Sequence, residues 1–314
     1  MSERALRIGT RGSDLALWQA RHVAALLARL PGAPPTELVL IRTEGDRITD
    51  VPLAQVAVKA FFTKEIEEAL RAGSVDLAVH SLKDLATEMP AGLALGAVLE
   101  REDPRDALLA RAAGSLDELP AGARVGTSSL RRRALLARWR SDLELVDLRG
   151  NVPTRVERLD QGRFDAIVLA AAGVHRLGLA GRISSYLPVD RVPPAVAQGA
   201  VAVQLRADDA RAIDWVARLD HAPTHTAAAA ERALLRALEG GCQIPVGALA
   251  EVRGERLSRA ATVCALAGRR SVADSIEGAA AEAEALGAEL ARRLLAAGAA
   301  EILAAIRGGQ GERR

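Results

Sequence analysis

Apolar positions at the start of the chain alternate between short runs and helical stripes. Leu6–Thr10 reads as a strand, followed by Arg11, Gly12 and Ser13. Ser13 is a natural N-cap for a helix from Asp14 to about Leu30, where Leu15, Leu17, Trp18, Val23, Leu26 and Leu27 recur at helical spacing. Pro31–Pro35 reads as a loop and Glu37–Arg42 as a second strand. Residues 43–59 carry scattered charges, a proline and no clean period, which predicts a loop or mobile cover. A helix from Phe61 to Ala72, stopped by Gly73, precedes a third strand at Val75–Val79 that runs into His80, Ser81, Leu82, Lys83 and Asp84. This βαβαβ pattern predicts a mainly parallel sheet with helices on its faces.

The pattern restarts after the charged connector from Glu100 to Asp106. A strand ends at Arg124–Gly126, and Thr127, Ser128 and Ser129 offer caps for a helix at Leu130–Trp139. Leu143–Leu148 is a strand ending at Arg149, Gly150 and Asn151; Pro153–Gln161 is a helix, Asp165–Ala170 a strand, and a short helix runs through Arg176. Ala195–Gln204 reads as a strand or helix returning to the first unit. From Ala222 the style changes: a helix leads toward Cys242, then Val246–Val252, Leu257–Leu266 and Arg269–Ser275 read as antiparallel strands, with helices at Glu282–Leu295 and Ala299–Ile306. The expected organisation is an α/β domain at 1–99 and 195–220, a second α/β domain at 100–194, and an α+β domain at 221–314.

Composition narrows the class. At 314 residues the chain exceeds one typical core, and with 49% hydrophobic, 26% charged and only 2% aromatic residues its cores must be built from Ala, Leu and Val. A net charge of +2, from 42 basic and 40 acidic residues, argues against nucleic-acid binding and leaves anion attraction to local clustering. The first residues, MSERALRIGTRG, form no apolar signal region, and no apolar run approaches the ~20 residues that span a bilayer. Two cysteines make a disulfide framework improbable. A cytoplasmic protein with no membrane partner is expected.

Two features carry chemistry. LEGGCQIPVG, Leu238 to Gly247, displays Cys242 between two glycines and a proline, where a helix must end sharply. Spacing alone leaves a reactive thiol and a small buried hydrophobe as alternatives. Secondly, basic and polar residues recur just after strand ends, where open α/β sheets bind ligands: Arg11, Ser13, Lys83, Thr127, Ser128, Ser129, Arg131, Arg132, Arg149 and Asn151, with Arg155 and Arg176 on adjoining helices. Arg133, Arg138 and Arg140 read as a solvated helix face. The set predicts a cleft for a ligand with several carboxylates or phosphates. Asp84, a lone carboxylate among them, reads either as an ion-pair partner of Lys83 or as a stabiliser of a cationic intermediate.

The blocks LRIGTRGSDLALWQA, DLAVHSLKDL, LEREDPRDA, VGTSSLRRRALL, LRGNVPTRVERLD, FDAIVLAAAGVHRLGL, AVAQGAVAVQ and LEGGCQIPVG, in order from residue 6 to about 247, resemble the porphobilinogen deaminase family. The resemblance implies two domains like those of type II periplasmic binding proteins, a cleft between them and a small C-terminal α+β domain. It implies hydroxymethylbilane synthase activity, a transferase reaction of tetrapyrrole biosynthesis. Four porphobilinogen molecules are joined head to tail with loss of ammonia, and hydrolysis releases the linear product. Cys242 would hold a dipyrromethane cofactor by a thioether, as primer. Asp84 would be catalytic, steadying positive charge on the pyrrole nitrogens as ammonia leaves. Ser81, Lys83, Thr127, Ser128, Ser129, Arg131, Arg132, Gly150 and Gln198 would bind the cofactor. Arg11, Ser13, Gln19, Lys59, Phe62, Arg149, Asn151, Arg155, Ala170 and Arg176 would bind substrate. The expected partner is porphobilinogen and the expected state a monomer, without metal or nucleic acid.

The chain departs from the family pattern where a glycine-rich lid becomes Ala57, Val58, Lys59 and Ala60, where a frequent lysine is Gln55, and where Leu85-Ala86 replaces Val-Pro after Asp84. Rival readings are a non-catalytic anion-binding protein of the same fold, a nucleotide-using transferase, and a metal site at His221 and His225. The second lacks a GxxxxGK[ST] loop. The third lacks further clustered Cys or His ligands.

Overall fold

The computed structural model describes residues 4–47, 63–238 and 244–309. Cys242, Lys59, Phe62, Gln55, Ala57, Val58 and Ala60 lie outside the described residues, so the expectations for the cysteine loop and the cover are not placed by it.

The chain opens with β1 (Leu6–Thr10), α1 (Asp14–Ala28), β2 (Thr36–Leu40), the short α2 (Glu44–Arg47), α3 (Lys64–Arg71) and β3 (Leu77–Ser81). A 3₁₀ turn at Leu82–Asp84 follows, then β4 (Leu93–Val98). The next elements are β5 (Asp106–Ala110), β6 (Arg124–Gly126), α4 (Leu130–Trp139), β7 (Glu144–Val146), α5 (Val152–Asp160), β8 (Ala166–Ala170), α6 (Ala171–Arg176) and β9 (Ser185–Tyr186). Then come β10 (Val201–Arg206), α7 (Ala210–Ala217) and α8 (Ala222–Ala237). The chain closes with β11 (Val246–Arg253), β12 (Arg256–Cys264), β13 (Ser271–Ala279), α9 (Ala283–Leu294) and α10 (Ala300–Arg307).

The two larger sheets repeat one plan, β2-β1-β3-β10-β4 and β7-β6-β8-β5-β9, each with five strands. In each, the three leading strands pair in parallel and the fourth opposes both its neighbours. The opposed strands are β5 and β10, the first strands laid down after the chain passes from one sheet to the other and back. The mainly parallel sheet expected for the first unit is therefore interrupted by one reversed strand. The residues expected as a returning element divide in two: 195–200 form turns, and only Val201 onward is strand. Strands β4, β5 and β9 and helices α2 and α7 were not anticipated, α2 falling where a loop was expected. Asp106 belongs to β5, not to a connector, and β13 runs four residues beyond the expected Ser275, to Ala279.

The third sheet, β11-β12-β13, is antiparallel as expected. Its inner face joins α8, α9 and α10 in a core with the edge of the first sheet: Leu82, Val98 and Ala202 share one cluster with Leu234, Val263 and Leu294. Cys264, on β12, packs instead with Leu135 and Leu136 of α4. The alanine repeats are a packing device, since they let α8 and α9 approach until a Cβ on Gly287 would stand 2.4 Å from the Ala230 carbonyl oxygen. Among the described residues no helix is long and apolar enough to cross a membrane.

The two crossings lie side by side. Gly199 sits at φ +90°, and a Cβ there would come 2.4 Å from the Glu102 carbonyl oxygen. Gly199→Ala therefore combines a left-handed backbone with a backbone clash and is expected to lower unfolding stability by roughly 1–3 kcal/mol. Gly181→Ala, with nothing within 4 Å of the added methyl, is the control in denaturant titrations. Equal midpoints for the two variants would contradict this reading.

Candidate active-site cleft

The first sheet contributes the ends of β1 and β3. Ser13 caps α1, its Oγ accepting from Ala16 N at 3.4 Å, and so fixes how the chain leaves β1 past Arg11. Gln19, buried on α1, donates from Nε2 to Ser81 Oγ at 2.8 Å, which ties that helix to the end of β3. Arg11, Ser13, Gln19, Ser81 and Asp84 line one hollow, together with Leu15, Ala16, Thr63, Val79 and His80. Asp84 is exposed at the 3₁₀ turn, whereas Lys83 beside it is half-buried. Burial pushes the Lys83 ammonium down to about 8, with the Asp84 carboxylate acting in the opposite sense.

The second sheet supplies helix starts. Ser129 caps α4, accepting from Arg132 N at 3.4 Å, and its own N–H donates to Thr127 Oγ1 at 3.3 Å. Ser128 Oγ donates to the Leu148 carbonyl at 2.9 Å and accepts from Leu148 N at 3.0 Å, stapling the loops after β6 and β7. Asn151 caps α5, its Oδ1 accepting from Thr154 N at 2.9 Å. The turn before it needs Gly150, at φ +106°. Arg155 Nε donates to the Gly150 carbonyl at 2.7 Å, and Arg158 Nη1 to the Arg149 carbonyl at 2.9 Å. Ala170 ends β8 opposite Asp106 and occupies the N-cap position of α6. At the end of α6, Arg176 Nη2 donates to the Gly199 carbonyl at 2.7 Å, and its guanidinium lies 5.3 Å from the Trp18 ring centre.

The sequence reading missed the anion at the centre. Asp106 is fully buried and accepts from Arg131 Nη2 at 2.8 Å, Arg132 Nη2 at 2.7 Å and Gln198 Nε2 at 2.8 Å. The two guanidinium groups hold its carboxyl well below the usual carboxylate range despite burial. Arg131 also donates to the Pro193 carbonyl and Arg132 to the Val168 carbonyl. Three residues expected to face a cofactor are thus first tied to a carboxylate at the start of β5, which spans the crossing between sheets. The available signal was an aspartate opening the apolar run DALLA. The Nε groups of Arg131 and Arg132 and Oε1 of Gln198 remain buried without a partner.

The two banks meet electrostatically. Burial pushes Arg155 down to about 10, and Arg132, Arg149 and Arg158 add to the effect while Asp84 opposes it. Burial likewise lowers Arg176, whose Nε has no partner. Buried guanidiniums that repel one another favour whatever anion joins them. The histidines considered for a metal hold other partners: His221 Nδ1 lies 2.8 Å from Thr224 Oγ1, and His225 Nδ1 2.8 Å from Asp220 Oδ1. Among the described residues no group of three or more His, Cys, Asp or Glu is arranged to hold a metal ion.

A family model described as "Porphobilinogen deaminase, dipyromethane cofactor binding domain" matches residues 6–214. A second, "Porphobilinogen deaminase, C-terminal domain", matches residues 225–296. Similar proteins include the porphobilinogen deaminase of Geobacter metallireducens, 50% identical over 306 residues that cover 98% of this chain and 96% of the relative. That of Moorella thermoacetica is 49% identical over 307 residues, 98% of each chain. Among solved structures, the methionine-binding protein MetQ aligns with a TM-score of 0.45 at 16% identity, covering 68% of this chain and 89% of that one. With two family models spanning both the sheet pair and the third sheet, and half its residues identical to full-length relatives, this chain belongs to the porphobilinogen deaminase family.

Proposed function

We propose that the chain is a hydroxymethylbilane synthase, a transferase that joins four porphobilinogen molecules head to tail, releases ammonia at each step and hydrolyses off the linear product. The observation that carries this reading is the cleft itself, a row of cations with one exposed carboxylate, Asp84, among them. Each pyrrole unit adds two carboxylates, so a lengthening chain is a polyanion that needs successive arginines. The same donor set suits a dipyrromethane cofactor. The partnerless Nε groups of Arg131 and Arg132 fit its carboxylates, and Lys83 lies close enough to both arginines to feel their charge.

In this reading Cys242 carries the cofactor, and Ser81, Lys83, Thr127, Ser129, Arg131, Arg132, Gly150 and Gln198 hold it. Ser128 acts by fixing the loop after β6. When bound, the cofactor supplies the free pyrrole position to which the first substrate unit joins. Asp84 accepts the pyrrole N–H of the incoming substrate and offsets the positive charge that develops on that ring as ammonia departs. Arg11, Ser13, Gln19, Arg149, Asn151, Ala170, Arg155 and Arg176 bind substrate and growing chain. Lys59 and Phe62 extend that set from the segment outside the described residues. The domains divide at 1–99 with 195–220, 100–194 and 221–314. The protein works as a cytoplasmic monomer.

Mixing the purified protein with porphobilinogen should release ammonia and give a ladder of enzyme–intermediate complexes on native gels. Arg131→Leu and Arg132→Leu are expected to yield protein without cofactor. Arg149→Leu, Arg155→Leu and Arg176→Leu, whose side chains are not tied to Asp106, should load cofactor and stall at different rungs. A single stalling rung for all of them would refute the staging. Binding of porphobilinogen without ammonia release would replace the enzyme with the anion-binding alternative.

A further inference from the structure

Below Asp84 the hollow holds polar groups that the arginines do not engage. Thr63 precedes α3 and His80 lies on β3; they are 1% and 6% exposed and line the hollow beside Asp84 and Ser81. Ser81 Oγ is occupied by Gln19, but Thr63 Oγ1 and His80 Nε2 are buried and have no hydrogen-bond partner. Orphaned polar atoms in a buried wall call for a ligand that completes them.

The chemistry of the pair selects the ligand. The His80 ring is neutral, because burial pushes it down to about 4 and Arg11 acts in the same sense. Gln204, on the neighbouring strand β10, opposes that shift. Gln204 Nε2 meets the buried Glu67 Oε1 at 3.4 Å, while its own Oε1 is buried with no hydrogen-bond partner. With its one proton on Nδ1, the neutral ring presents Nε2 as an acceptor. The hollow thus presents an imidazole lone pair, a threonine hydroxyl and the Asp84 carboxylate. Carboxylates of a substrate find donors in Arg11 and its neighbours; three acceptors suit a primary ammonium, with three N–H groups and one positive charge.

We propose that Thr63 and His80 form the subsite for the protonated aminomethyl group of porphobilinogen, an inference that rests on the active-site reading above. The leaving step then balances within the cleft. The C–N bond of the CH₂–NH₃⁺ group breaks, its electron pair stays with nitrogen, and ammonia departs with the three hydrogens it already carries. The positive charge passes to the pyrrole ring beside Asp84. His80 accepts a hydrogen bond throughout and takes no proton. Arg11 disfavours the ammonium and not the neutral ammonia, so it opposes binding more than departure.

Thr63→Val and His80→Phe remove one acceptor each, and Thr63→Ser restores the hydroxyl. KM and kcat for porphobilinogen are measured beside the inhibition constant of an analogue that keeps the acetate and propionate groups but carries methyl in place of aminomethyl. Only protein with normal cofactor mass and unfolding midpoint is compared. The expected result is a roughly tenfold weaker KM for porphobilinogen in Thr63→Val and His80→Phe, about 1.4 kcal/mol. The analogue should bind as to wild type, and Thr63→Ser should behave as wild type. Equal weakening of both ligands, or no weakening of either, overturns the subsite. Wild-type protein that binds neither ligand nor releases ammonia would instead remove the active-site reading on which the proposal stands.

Discussion

Asp84→Asn is expected to lose about 10²–10³-fold in turnover while keeping its cofactor. The amide has nearly the size of the carboxylate and can still accept a hydrogen bond, so binding geometry survives. What goes is the negative charge beside the pyrrole nitrogen at the moment when that ring becomes cationic. Asp84 is exposed to the cleft and stands where Lys83 and Arg155 both sense its charge. Removing it therefore leaves an uninterrupted row of cations facing the developing charge. Single-turnover ammonia release, set beside the protein mass, separates chemistry from loading. Near-normal turnover would reduce Asp84 to a counter-ion for its neighbours.

Asp106→Asn is expected to fail differently, through the fold. Its carboxylate is 0% exposed and bridges Arg131 and Arg132, which are 4% and 6% exposed. Replacing it with a neutral amide strands two buried guanidiniums without a counter-charge, and breaking such a pair typically costs about 3–5 kcal/mol. The loss should appear as a lower midpoint in denaturant and as protein unable to assemble its cofactor. The wild-type protein carries the matching pH dependence. A carboxyl whose folded pKa is depressed contributes stability above its unfolded value, near ~3.9, and loses it as pH falls through the folded value. The contribution of Asp106 is therefore intact at neutral pH and is withdrawn only in strong acid; in Asp106→Asn that acid-sensitive component should be missing. Wild-type stability in the variant would mean that the arginines find other partners.

Local signals in the sequence located much of this machinery. Ser13, and Ser129 among three candidates, read as caps because a hydroxyl stands just before a helical stripe, and both accept a backbone N–H, whereas the cap at Asn151 was not anticipated. Lys83 and Asp84 follow an apolar run, which predicts a strand end and a cleft position. Strands β4 and β5 were not legible in the same way. Leu93–Val98 and Asp106–Ala110 gain their strand character from neighbours far along the chain, Ala202 for Val98 and Ala170 for Asp106. Counting cations exposed Arg131 and Arg132 but not their shared partner, 25 and 26 residues away. The turn at 195–200 reads as regular structure because Ala and Val dominate it, yet Ala197 adopts φ +59° and Gly199 φ +90°. Only the packing of one crossing on the other dictates those angles.

The central claim is that this chain works with a primer made from its own substrate and anchored on Cys242. The intact mass of the purified protein addresses it most directly. The account predicts a mass above that of the 314-residue chain by one dipyrromethane unit, with the excess abolished in Cys242→Ala. An active wild-type protein whose mass equals that of the bare chain would contradict it.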